Sequence, residues 1–325
     1  MIDNKIKKNQ PLGFCLSLIT AAMWGILPIA LKELLAGMDA ATIVWYRFLL
    51  AALFVLGWLY FRGQLPNPAG VSKLMRGIII IAAAGLCANY VLFSYSLNYV
   101  NAETSEAVIQ LTTLFLILGG VVFYKEQFTT IQKVGTLLIL TGLILFFHDR
   151  FTDFKNLGNR QTIGVSIVFF SAIAWTIYAL LQKKLLRKFK SFQLLFMMSC
   201  FSALVLLPFV SPGLLFQLTG FQFFLLSFCC INTLVAYGCF TEALNCWEAS
   251  KVSAVLALAP LFTIVGLQVI VSFNPEYAYS DRLTVLSIIG AMLLVLGSML
   301  TALMPVLSCL LYTSPSPRDV EESGF

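Results

Sequence analysis

Glu103, Glu106, Gln110 and Thr113 follow one another at spacings of three, four and three residues, so a helix would carry all four on one face. At about 1.5 Å per residue that polar stripe is about 15 Å long, enough to run from one membrane surface to roughly the midplane. Arg47 lies about seven residues into another apolar stretch, at a depth near that of Glu106. An arginine at such a depth costs at least about 2.5 kcal/mol unless it is paired or wet, so it must face the interior of a bundle or a water-filled cavity. There it can hold a carboxylate of a bound solute or form a gate with Glu106. It can equally serve a structural ion pair or cap free carbonyls. Glu106 itself can carry a proton, which would link the site to a proton gradient. Trp24 and Trp175 fall near the middle of their apolar stretches, too deep for an interfacial belt. They can line a cavity and stack on an apolar or cationic guest, or simply pack helices together. Tyr90, Tyr178 and Tyr237, with Asn89 and Asn232, place polar atoms inside apolar stretches, where cavity lining and interhelical hydrogen bonds are both open to them.

The elements that position these residues follow from composition. Of 325 residues 59% are apolar and 11% charged, with a mean hydropathy of +0.90. A soluble domain carries about 25% charged residues, so a soluble enzyme is excluded. The 14% aromatic content, with no run of like charges, argues against disorder and against nucleic-acid binding. Apolar segments of about 20 residues span a bilayer as helices. Ten are expected, approximately 12–31, 40–61, 74–96, 101–124, 131–147, 162–182, 192–210, 219–244, 251–273 and 282–304. Their length, and the lack of an alternating ten-residue pattern, exclude a β-barrel and predict an all-α membrane protein. The apolar run behind Lys5, Lys7 and Lys8 is too long for a signal-peptide core and is expected to stay as the first helix.

Of the 21 Lys and Arg, fourteen fall on one side of this topology together with the N-terminus. Lys32, Arg150, Lys155, Arg160 and Arg282 fall on the other, Arg47 lies within a span and Arg318 in the tail. Basic residues gather in cytoplasmic loops, so a cytoplasmic N-terminus is expected. The stretch Cys309–Asp319 reads like a translated sequencing adapter, so residues from 309 onward are expected to be foreign to the fold.

The chain repeats internally. A shift of 151 residues gives seven identities in the 23 positions 13–35, including Gly13 with Gly164, Trp24 with Trp175 and Lys32 with Lys183. A shift of 147 aligns Tyr90, Phe93, Asn98, Ala107 and Leu114 with Tyr237, Phe240, Asn245, Ala254 and Leu261. Each unit holds five spans, an odd number, so consecutive units must insert with opposite orientation. The expected organisation is a cytoplasmic segment 1–11, a first five-helix repeat 12–147, an external linker 148–161, a second, inverted five-helix repeat 162–304 and a tail 305–325. Such repeats place a binding site near the midplane, where one half can rock against the other. The polar stripe belongs to the first repeat alone, since its counterparts are Ser250, Ser253, Ala257 and Pro260, and Arg47 corresponds to Met198.

Ala22–Pro28 (AMWGILP), Tyr46–Ala52 (YRFLLAA), Tyr124–Phe128 (YKEQF) and Gly135 with Gly142 resemble the EamA type of the drug/metabolite transporter superfamily over nearly all of residues 12–304. The resemblance implies a ten-helix carrier of the bacterial inner membrane, most often an exporter of metabolites, amino acids or drugs. A proline usual in the fourth span is Thr113 here, although its counterpart Pro260 is kept, and Asn274–Arg282 forms a longer link than the acidic turn after the fourth span. The residues expected to meet the small-molecule substrate are Trp24, Arg47, Tyr90, Glu106, Gln110, Trp175, Tyr178 and Tyr237.

The glycine pairs 135/142 and 290/297 suit close helix packing or a homodimer contact, leaving monomer and homodimer both open. Thr129 with Gln132, behind Glu126, has the form of a capping box, and Pro28 is expected to kink the first helix. His148 stands alone, the eight cysteines lack metal-ligand spacing, and no phosphate-binding glycine loop occurs. Hence no enzyme and no cofactor are expected. A membrane lipid-phosphate enzyme or a lipid flippase is the alternative, and the basic cluster Lys183–Lys190 is the one feature that suggests it.

Overall fold

The computed structural model describes residues 9–66, 71–125, 128–156, 158–186, 188–247 and 249–312. Lys5, Lys7, Lys8, Glu126, Arg187 and the tail from Thr313 lie outside them. The described residues form α1 Gln10–Leu34, α2 Ala40–Phe61, α3 Lys73–Ser96, α4 Ala102–Ile109, α5 Leu111–Tyr124 and α6 Thr130–Phe146. The chain then continues through α7 Arg160–Leu185, α8 Ser191–Leu206, α9 Gly220–Cys246, α10 Ala249–Leu256, α11 Ala259–Phe273 and α12 Val285–Tyr312. Nine helical stretches are long and apolar enough to cross a membrane, counting α4 with α5 and α10 with α11. The fifth expected span, α6, has 17 residues. That is about 25 Å of helix, slightly less than a bilayer core. Its start carries the expected capping box: Thr129 Oγ1 accepts from the Gln132 amide, and Gln132 Oε1 accepts from the Thr129 amide at 3.1 Å. α12 runs on through Cys309 to Tyr312 as helix.

Two spans are broken, which their apolar sequence does not announce. α4 passes to α5 at Gln110, and α10 passes to α11 at Ala257 and Leu258. The two breaks differ in number by the 147-residue shift of the repeat. In the second, Pro260 has no amide hydrogen, and the Leu261 amide turns to the Leu258 carbonyl at 2.9 Å, leaving the Ala257 carbonyl without its helical donor. Gln110 Nε2 supplies that donor at 3.2 Å. In the first break the Thr113 amide bonds the Gln110 carbonyl at 3.0 Å, a one-turn tightening made without a proline. α1 comes against the second break where Gly25 lies beside the Ala259 carbonyl, too close for any Cβ, and Thr263 Oγ1 donates to the Gly25 carbonyl at 2.6 Å. Pro28 is buried three residues on, inside an uninterrupted α1.

The inverted repeat shows in paired contacts. Thr20 Oγ1 donates to the Ala236 carbonyl at 3.3 Å, and Ser171 Oγ donates to the Asn89 carbonyl at 3.1 Å. Shifts of 151 and 147 carry the first bond onto the second, so the α1–α9 pair and the α7–α3 pair are the same interaction made twice. Lys32 at the end of α1 and Arg160 at the start of α7 both reach carbonyls of the α3–α4 turn, so equivalent helices run in opposite directions. The most extensive pairings, α6 with α12, α3 with α7, α1 with α9 and α2 with α8, all cross between the repeats. The two repeats are therefore interleaved and do not form separate bodies.

The glycine seams face each other within the chain, which removes them as a surface for a second copy. A Cβ on Gly142 would lie 2.7 Å from the Gly290 carbonyl oxygen, and one on Gly297 would lie 2.6 Å from the Gly135 carbonyl oxygen. Gly142→Leu or Gly290→Leu is expected to destabilise the detergent-solubilised protein by about 1–3 kcal/mol or more through overpacking. Gly57→Leu, whose Cβ would meet nothing within 4 Å, should leave the thermal midpoint unchanged. Gln110→Leu orphans the Ala257 carbonyl and should cost about 0.5–2 kcal/mol in the same thermal unfolding measurement.

Candidate functional site

Arg47 lies on the buried face of α2 and is 3% exposed. Its Nε donates to Thr233 Oγ1 of α9 at 3.1 Å, and its guanidinium carbon stands 4.6 Å from the ring centre of Tyr90 on α3. Thr233 Oγ1 in turn donates to the Cys229 carbonyl at 3.0 Å, so its proton is committed and it meets Arg47 as an acceptor. The Tyr90 ring stacks at 4.7 Å on Phe48. Tyr178 of α7 and Tyr237 of α9 are joined through their hydroxyls, Gln182 Nε2 donates to the Tyr237 oxygen at 3.4 Å, and Tyr178 shares with Phe48 the apolar core against which Tyr90 packs. Tyr237 leads at 6.2 Å to Phe240, which lies 5.8 Å from Trp24 on α1. Four helices thus bring Arg47, Tyr90, Tyr178 and Tyr237 into one polar and aromatic cluster, and α1 adds Trp24 at its edge.

The other expected residues meet different partners. Gln110 is spent on the Ala257 carbonyl. Trp175 packs against the same apolar core as Tyr90, a core that includes Phe48 and Tyr178, so it borders the cluster from the side of α7. Glu106, 7% exposed, makes no hydrogen bond or ion pair with any described residue, and the gate between Arg47 and Glu106 is not formed here. Asn89 donates to Ser171 Oγ at 2.9 Å and Asn232 to the Met23 carbonyl at 2.6 Å, both structural bonds between helices. Thr233, Gln182 and Phe240 belong to the cluster but carry no spacing signal in the sequence. Thr233 is one of many hydroxyls in apolar helices, and Gln182 lies at the end of its span.

Glu103 belongs to a second polar cluster at the end of the bundle remote from the start of α1. Asn101, the N-cap residue of α4, makes no side-chain cap bond. Asp281, from the 274–284 link between α11 and α12, takes that role. It accepts from the Thr104 amide at 3.2 Å, Thr104 Oγ1 at 2.6 Å and Asn101 Nδ2 at 3.1 Å, which puts a negative charge on a helix N-terminus. Arg150 Nη1 lies 3.4 Å from the same carboxylate and donates to Thr104 Oγ1 at 2.9 Å. Glu103 accepts from Ser280 Oγ at 2.8 Å and the Asp281 amide at 3.2 Å. Lys32 completes the cover by donating to the carbonyls of Leu97 and Val100, the latter at 3.0 Å, closing the end of α3. At the same end a recess of about 480 Å³ opens between the α1–α2 turn, Tyr95 and Asn98 of the α3 end, and Leu214. Among the described residues no group of three His, Cys, Asp or Glu side chains could hold a metal ion.

The family model for the EamA-like transporter family matches residues 11–148 and 162–303. An uncharacterized transporter of Haemophilus influenzae is 42% identical over 297 residues, covering 91% of this chain and 96% of that protein. The uncharacterized inner membrane transporter YhbE of Escherichia coli is 36% identical over 300 residues, covering 92% of this chain and 93% of its own length. A solved crystal structure, 15% identical, superposes with a TM-score of 0.61 over 90% of this chain and 96% of its own, which shows a shared fold. With its crossed, inverted helix pairs and two broken spans, the chain is a multi-pass membrane protein and belongs to the EamA-like transporter family.

Proposed function

We propose that the protein is a secondary carrier that exports a small organic solute across the bacterial inner membrane by alternating access, with its N-terminus in the cytoplasm. The observation that carries this reading is the pair of breaks in α4–α5 and α10–α11. They are related by the repeat and joined by the Gln110 bond, and interrupted helices of this sort line sites that open alternately to the two sides. α1 links the second break, through Gly25, to the edge of the cluster around the buried Arg47, through Trp24. The inner membrane location is supported by the printed description of YhbE and the cytoplasmic N-terminus by the distribution of lysine and arginine. Export rests on the resemblance to EamA-type carriers. On this topology the Asp281–Thr104–Arg150 cluster stands on the outer side, where it holds the α11–α12 link over the start of α4. The lipid-phosphate alternative gains no support from the chain's one histidine, because His148 Nδ1 is engaged with the carbonyl of Leu145 at 2.9 Å, at the end of its own helix.

The test is counterflow in proteoliposomes holding the purified full chain, against a panel of labelled amino acids, organic acids and amines. Saturable exchange of at least one solute above empty liposomes is expected; no flux for any of them would overturn the carrier reading. Glu106 is the candidate for proton coupling. Glu106→Gln should abolish accumulation driven by a pH gradient while leaving counterflow intact, and unchanged gradient-driven accumulation would remove Glu106 from coupling.

A further inference from the structure

We infer that Arg47 is the anchor for the carboxylate of a singly charged organic acid whose apolar body lies among the surrounding aromatic rings. This deepens the carrier reading and rests on it for the word substrate, although the binding itself does not need transport.

Arg47 is the one buried lysine or arginine among the described residues, and no carboxylate there pairs with it. Glu103 is engaged with Ser280 and Asp281, and Glu106 does not reach it. Two contacts fix the guanidinium. Thr233 holds Nε along one edge, and the face of Tyr90 covers one side of the plane. Nη1 and Nη2 are left with no partner among the described residues. A cation–π contact is worth about 2 kcal/mol when desolvated, less than the several kcal/mol it costs to bury an ion. The chain supplies a preset guanidinium fork without the anion that would balance it.

A planar carboxylate matches that fork in a bidentate pair. One cation balances one negative charge, so a phosphate monoester, which carries close to two, would leave charge unpaired in a site of low dielectric. Apart from Thr233, Gln182 and the phenol oxygens, the rest of the cluster is ring surface: Tyr90, Phe48, Tyr178, Tyr237, Phe240 and, at the edge, Trp24. That lining fits an apolar body better than a second ionic group.

Equilibrium binding to the purified full chain in nanodiscs tests this with phenylacetate and hexanoate, each against its neutral amide, and with phenyl phosphate as the dianion. Thermal midpoint and tryptophan fluorescence are the readouts. At least one acid should bind saturably where its amide does not, and Arg47→Gln should weaken that acid about tenfold or more. Thr233→Val, which frees the guanidinium edge, should weaken it by a smaller factor. If Arg47→Gln does not fold, Arg47→Lys keeps the test, because loss of the fork should still weaken the acid several-fold and leave any amide binding unchanged. The inference is overturned if neither acid binds, if an amide binds as well as its acid, if phenyl phosphate binds more tightly than either acid, or if the arginine variant that folds binds as the wild type does. Binding that depends on Arg47 without any flux would overturn the carrier reading and leave the site standing. Flux of neutral solutes untouched by Arg47→Gln would do the reverse.

Discussion

Every backbone polar group within the apolar layer must find a partner inside the protein, because hydrocarbon offers none. Unbroken helices meet that demand internally, whereas α4–α5 and α10–α11 do not. Around them the chain places Gln110 on the Ala257 carbonyl and Thr263 on the Gly25 carbonyl, and at the bundle end Asp281 on the Thr104 amide. Each of these donors or acceptors comes from a different segment than the group it serves. The broken spans are consequently held by side chains of their neighbours, and their geometry is coupled to α1, to the opposite repeat and to the α11–α12 link.

Interleaving shapes what can move. Because α1 pairs with α9 and α7 with α3, each repeat is clasped by the other, and α6 and α12 close on each other through glycines with no room for a Cβ. Rocking of residues 12–147 as one block against 162–304 would break the bonds Thr20–Ala236 and Ser171–Asn89 together. The breaks at Gln110 and Ala257 are the places where a span can bend without losing a full helical ladder.

The charges divide by whether the fold itself satisfies them. Lys32 and Arg150 finish helix ends and hold a link, work that could be done by no substrate. Arg47 and Glu106 are different, buried in the same bundle without being paired to each other. Charge left uncompensated inside an apolar protein is expensive to maintain unless it is paired, hydrated or met by a bound ion or solute.

The sequence by itself determined the class, the spans, the five-plus-five repeat and the burial of Arg47 and Glu106, because apolar length, odd span number and intramembrane ionic residues are properties of the chain read locally. It also placed the capping box at Thr129 and Gln132, which depends on residues three apart. The tertiary structure alone decided which polar residues meet. Glu103, Glu106 and Gln110 share a helix face, yet they serve three ends: Glu103 the α11–α12 link, Gln110 the opposite break, and Glu106 no described partner. Trp24 and Trp175 are equivalent in the repeat, but one meets the cluster through Phe240 and the other through the apolar core that holds Phe48 and Tyr178. The glycine seams, readable as a dimer surface from spacing, are consumed within one chain. For Glu103, Gln110, Trp24 and the glycine seams the deciding partner lies more than a hundred residues away, and periodicity along a helix carries no information about what packs against it.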